Sequence, residues 1–157
     1  GYGISTDNFH MTQPDPSGIG QRQAMERALQ SASLSTDKVD YINAHGTGTS
    51  VNDSMESAAI KTVFGDHTPN IGVSSTKSMH GHALGGTSAL EAVATTMAIY
   101  NDILPPTANY EEPDPECDID VVPNKSRPKT INCALTNSFA FGGLNAVLAL
   151  KKWDRKS

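Results

Sequence analysis

The stretch VDYINAHGTGTS, residues 39–50, sets the frame. Its first half, Val39 to Ala44, is short, apolar and partly β-branched, which is the pattern of a buried strand. Its second half, His45-Gly46-Thr47-Gly48-Thr49-Ser50, is polar and glycine-rich and reads as a loop. Asp53 then stands where a helix cap is expected. Met55, Ala59 and Val63 follow on one face of a helix running to about Phe64. Strand, loop and helix in that order form the unit of an α/β sheet, whose chemistry gathers beyond the carboxyl ends of its strands. His45 sits at such an end.

Working outward, the alternation recurs. Ala24, Met25, Ala28, Leu29 and Ala32 make one apolar stripe, predicting a helix over residues 18–33. IGVSS at 71–75 predicts a second strand that ends just before Thr76-Lys77. Residues 83–100, ALGGTSALEAVATTMAIY, hold the longest helical pattern. Apolar residues occur nearly all round it, with Glu91 its single charge, so it is expected to be buried on most sides. Pro105-Pro106 and Pro113-Asp114-Pro115 mark an extended surface connection. Two strand-like runs, 131–136 and 145–151, flank Phe141-Gly142-Gly143 and predict an antiparallel pair. The fold class is α/β.

Composition sets the outer bounds. The length of 157 residues suits one ordinary domain. The 37% hydrophobic fraction, about 45% once glycine is included, is enough for a globular core. A net charge of −5 with no basic cluster excludes a nucleic-acid footprint and an anionic membrane surface. No stretch approaches the roughly 20 apolar residues of a membrane span. Two cysteines, Cys117 and Cys133, are too few for a disulfide framework and point to a reducing cytoplasm. Both read as structural, Cys117 in the connection and Cys133 in a strand.

Two segments carry histidine amid glycine just past a strand: NAHGTGT at 43–49, and KSMHGH at 77–82 with Lys77 and His82. A single loop histidine ordinarily serves a local hydrogen bond. Two in parallel settings beside a lysine can form one polar pocket with tuned pKa values. A zinc site through His80, His82 and His45 would need further ligands, and no Asp or Cys cluster surrounds the pair, so no metal is expected. No G-x-S-x-G elbow or phosphate loop is present. Asp53-x-x-Glu56 fits a capping box, which would suffice as a role for Glu56. The run NSFAFGGLN at 137–145 leaves two readings open: core phenylalanines, or glycine-backed amides facing a ligand.

NAHGTGT, STKSMHGH at 75–82 and NSFAFGGLN together resemble the C-terminal half of a β-ketoacyl-acyl-carrier-protein synthase of the elongating, two-histidine type, polyketide ketosynthases included. GYGISTDNFHMTQP at 1–14 and PDPECDIDVVP at 113–123 extend the likeness over essentially all of residues 1–157. The resemblance implies a thiolase-like α/β fold, a mixed sheet with a buried central helix and flanking helices. It implies that His45 and His82 are the catalytic histidines, Lys77 the active-site lysine and Glu56 the carboxylate pairing with it. Thr47 and Thr49, joined by Thr12, match hydroxyls that hold the phosphopantetheine arm. Phe141 matches the gating phenylalanine whose N–H serves the oxyanion hole, and Phe139 lies on the substrate side.

The implied reaction is decarboxylative condensation of malonyl-carrier protein with an acyl-enzyme thioester. No cofactor is implied beyond the phosphopantetheine delivered by the acyl carrier protein. The implied partners are that carrier, an N-terminal half bearing the nucleophile cysteine, and a second copy in a homodimer of the complete enzyme. Nucleic acid and membrane are not among them. Gly1 falls within or just leaving the first strand of the second half, so that strand is expected to be largely missing. Without the cysteine, this chain alone is expected to be inactive. Departures are Asn52, Ala140, His80 and Gly85-Gly86-Thr87. The alternative is a non-catalytic subunit of the chain-length-factor kind. Thiolases are disfavoured by the lack of a C-x-G motif after the last strand. The initiating synthases are disfavoured by a histidine rather than an asparagine at position 82.

Overall fold

The computed structural model describes residues 1–153. In chain order the elements are β1 (Tyr2–Thr6), α1 (Ile19–Ser31), β2 (Tyr41–Asn43), α2 (Ser50–Phe64), β3 (Gly72–Ser74) and α3 (Lys77–His80). They continue with α4 (Thr87–Asn101), β4 (Ile103–Leu104), β5 (Arg127–Pro128), β6 (Cys133–Ala140) and β7 (Leu144–Lys151). Five strands form one mixed sheet in the order β1-β7-β6-β2-β3, and β4 pairs with β5 separately. β7 runs antiparallel to both β1 and β6, while β2 is parallel to both β6 and β3.

Side-chain alternation along the strands divides the core in two. Ile42 and Leu135 point to one face, where they meet Ala24, Met25 and Leu29 of α1 and Ile60 and Phe64 of α2. Their neighbours Tyr41 and Ala134 point to the other face and meet Ala98 and Ile99 of α4. Gly3 makes the first layer possible: a Cβ there would lie 2.0 Å from the Ala24 carbonyl oxygen, so α1 rests directly on the β1 backbone.

Four expectations are corrected. Tyr2–Thr6 form a strand in register with β7 from Leu148 to Leu144, so the strand expected to be largely missing is formed over these residues. α2 begins at Ser50, with Thr49 as N-cap, and Asp53 lies inside its first turn. The helix expected over 83–100 begins at Thr87, after a short 3₁₀ turn at Leu84–Gly86. Nor is α4 buried on most sides. It packs Thr87, Glu91, Thr95, Ala98 and Ile99 inward, while Leu90, Val93, Met97 and Tyr100 stand exposed. Tyr2, Ile4, Leu144 and Leu148, alternate residues of β1 and β7, are uncovered as well.

Candidate active site

β2 and β3 run parallel, so their carboxyl ends bring the His45 loop and the Lys77 segment side by side. The His45 turn is fastened from α2. The buried Glu56 carboxylate accepts the N–H groups of His45 and Gly46, each at 2.9 Å, and the side-chain amides of Asn137 at 3.0 Å and Asn52 at 3.3 Å. Burial pushes the Glu56 carboxyl up, and these four donors oppose the rise. Gly46 has φ +41°, and a Cβ there would lie 2.5 Å from Ser75 Cβ, so only glycine fits the turn against the end of β3.

The pairing of Glu56 with Lys77 is overturned. Lys77 Nζ donates to the Glu91 carboxylate and, at 2.5 Å, to the His45 carbonyl oxygen. Glu91, the one charge in the apolar stretch, turns its buried side chain inward from α4. Burial raises its pKa and Lys77 counters the rise, while its Oε2 is left without a protein partner. Asn43 adds a second tie, donating to Thr76 Oγ1 at 3.1 Å and Thr95 Oγ1 at 3.2 Å. The capping-box reading of Glu56 fails too: Asp53 accepts from Gly48 N–H, and Glu56 is spent on the His45 turn.

The two histidines meet. Their ring centroids are 5.8 Å apart in an edge-to-face arrangement, and the Phe139 ring packs on His45 at 5.6 Å. Burial first, then the Lys77 and His82 charges, lower the His45 pKa to about 3, so its imidazole is neutral over the physiological range. On the exposed His82, Nδ1 faces the Thr87 hydroxyl at 2.9 Å and accepts the Leu84 N–H at 3.1 Å. A nitrogen accepting an N–H is bare, which places the neutral ring's proton on Nε2. His80 instead contacts Gly81 O and Thr76 Oγ1, away from this pair. Among the described residues no three His, Cys, Asp or Glu side chains gather as metal ligands.

His45, Thr47, Thr49, His82, Phe139 and Phe141 all line one cavity of about 580 Å³, within the size range of ligand sites. The Thr47 and Thr49 hydroxyls lie 2.9 Å apart on its wall. The two readings of NSFAFGGLN divide between its aromatics. Phe139 is buried within β6, whereas Phe141 is 76% exposed at the hairpin tip. That tip is tied to the preceding loop by Gly142 N–H on Met11 O at 2.7 Å and Asp7 N–H on Gly143 O at 2.8 Å. Thr12 belongs to the same loop but is exposed, faces His10, and is not among the residues lining the cavity.

Residues unassigned from sequence as site members are Glu91, Asn137, Asn43 and Asn52. A lone carboxylate in an apolar helix was the only available signal, and it pointed to Glu91.

Residues 1–111 match the family described as "Beta-ketoacyl synthase, C-terminal domain". The chain is 53% identical over 152 residues to Nodulation protein E of Rhizobium meliloti, covering 97% of this chain and 37% of that protein. It is 54% identical over 154 residues to 3-oxoacyl-acyl-carrier-protein synthase 2 of Synechocystis sp., covering 98% and 37%. Among solved structures, the ishigamide ketosynthase/chain length factor superimposes with a TM-score of 0.93 at 43% identity, over 98% of this chain and 37% of that one. A β-ketoacyl synthase from Burkholderia phymatum STM815 gives 0.87 at 36%, again over 98% and 37%. The chain thus spans 37% of the length of these curated relatives.

Proposed function

The chain belongs to the β-ketoacyl synthase family, and from that premise we propose that it is the histidine-bearing part of an elongating condensing enzyme. In this reaction a malonyl thioester loses CO₂, and the electrons of the broken C–C bond form an enolate. The enolate carbon attacks an acyl thioester held on a cysteine of the N-terminal half, and the cysteine leaves as thiolate.

The carrying observation is the edge-to-face pair of His45 and His82 on one cavity. Enolate charge develops on the thioester oxygen, and a neutral imidazole N–H aimed there stabilises the transition state more than the ground state. Lys77 supports this by disfavouring a second cation at His45. Glu91 fixes Lys77, and Glu56 fixes the backbone that carries His45. Thr47 and Thr49 hold the pantetheine arm, and Phe141 guards the mouth, with its N–H serving the acyl oxyanion.

The carrier is an acyl carrier protein; one solved relative is a type II PKS acyl-carrier protein in complex with its ketosynthase. The uncovered faces of α4 and of β1 and β7 support docking of an N-terminal half, and the complete enzyme is a cytoplasmic homodimer. Alone, the chain forms no acyl-enzyme, since neither Cys117 nor Cys133 is among the residues lining the histidine cavity. The test is His82→Ala in the protein joined to its N-terminal half. Decarboxylation of malonyl-carrier protein should fall by about 10²–10³-fold, the loss seen when one such donor is removed elsewhere. Undiminished decarboxylation would overturn the assignment.

A further inference from the structure

Behind the His45 loop lies a second cavity, of about 260 Å³, that the condensation does not use. Its floor is apolar, formed by Ala44, Ile60 and Val73. One wall is α2 with Ser57, and the other is the loop after β4, with Tyr110, Asp114 and Cys117. The volume exceeds the roughly 150 Å³ cavity that holds benzene, and falls just below the roughly 300 Å³ at which drug-sized pockets begin. An occupant of one ring fits.

Charge narrows the class further. Asp53, Glu56 and Asp114 line the cavity, and no Lys, Arg or His does; the Glu56 carboxylate is already taken up by the His45 turn and the two asparagines. An anion entering it would lose hydration among like charges with only hydroxyls to meet it and no cation, whereas an ammonium is drawn to the Asp53 and Asp114 carboxylates. We propose that this cavity is a binding site for a small organic cation, its apolar ring on Ala44, Ile60 and Val73 and its ammonium toward Asp53 and Asp114. The site stands apart from the condensation chemistry and does not depend on it. It shares a wall with the histidine cavity, because Thr49 lines both and Asp53 holds the Gly48 N–H of the loop between them.

Cys117 supplies the reporter. Its half-buried thiol lies in the wall, 3.9 Å from Asp114 Oδ2, and burial raises its pKa despite a hydrogen bond from Ser57. Cys133, in β6, is not among the residues lining the cavity and serves as the internal reference. The test uses the protein joined to its N-terminal half, with benzylamine and benzoate as matched probes and iodoacetamide as neutral alkylating agent, read by peptide mass.

Benzylamine at ten times its dissociation constant should slow Cys117 alkylation about tenfold, following its occupancy, and leave Cys133 unchanged. Benzoate should protect neither. Asp114→Asn should weaken the benzylamine effect about fivefold in concentration, as for loss of one exposed ion pair. Ser57→Leu, which fills the cavity, should abolish protection. Ser50→Trp, an exposed change at the mouth, serves the same purpose if the buried variant does not fold. Equal protection by both probes, none by either, or protection surviving the filled or capped cavity would each overturn the proposal.

Discussion

His45 and His82 face the same cavity from settings of opposite kind. His45 is buried, its backbone fastened by Glu56, its ring covered by Phe139 and its pKa lowered to about 3. His82 is exposed, and its ring is steadied by the Thr87 hydroxyl and the Leu84 N–H and meets His45 at its edge. One histidine is built into the core of this chain, while the other stands on its surface. The difference lies in the elements: the His45 loop is clamped between β2 and α2, whereas His82 sits between the four-residue α3 and a 3₁₀ turn. Rigidity at one side is therefore intrinsic. At the other side it depends on a few local hydrogen bonds.

The comparison breaks most visibly at Glu56. Glu56→Ala would leave the His45 N–H buried without its acceptor and the Asn137 amide with the weak Met25 sulfur contact, costing about 1–3 kcal/mol each and on the order of 3–5 kcal/mol together. Chemical denaturation should show that loss. A variant within about 1 kcal/mol of the wild type would mean the turn is held by something other than the carboxylate.

A smaller effect at the buried ring is read by pH. The folded chain keeps His45 unprotonated down to about pH 3, while the unfolded chain takes up that proton near the ordinary value of 6.5. Stability is therefore fully present above 6.5 and falls as pH drops through the window between these values, by about 1.4 kcal/mol per unit at its steepest. Glu56 and Glu91, whose carboxyls are raised by burial, bend the curve the other way, but they are common to wild type and variant. His45→Asn should flatten the acid limb between pH 6.5 and 5 by about one proton's slope. An unchanged slope would show that His45 is charged when folded. The smallest change is expected on the exposed side: Thr87→Val keeps the shape, removes one partner of His82, and should cost about 1 kcal/mol in denaturant unfolding.

Much of this was legible in residue order. The strand before His45, the following helix, the stripe of α1 and the antiparallel pair around Phe141-Gly142-Gly143 follow from apolar spacing and turn chemistry, which are local. What escaped was non-local. Glu56 and Glu91 both lie on helices within reach of one loop, and only the packing of α2 and α4 on opposite faces of the sheet assigns Lys77 to Glu91. Thr12 looked like a third hydroxyl at the site, yet its loop is tied at Met11 and Asp7 to the hairpin tip, and Thr12 itself faces His10. α4 looked buried all round because its composition is apolar all round. Composition reports what a surface prefers to meet, and half of that surface is bare in this chain.

By itself, then, the sequence determined the α/β alternation, the residues offered at the strand ends and the family those residues mark. Such features depend on spacing along one chain. Tertiary structure alone decided which carboxylate neutralises the lysine, which phenylalanine is core and which is exposed at the hairpin tip, and which histidine is buried. Partner choice among buried charges is settled by distance and desolvation between elements far apart in sequence, here 14 residues for Lys77 and Glu91 and 81 for Glu56 and Asn137.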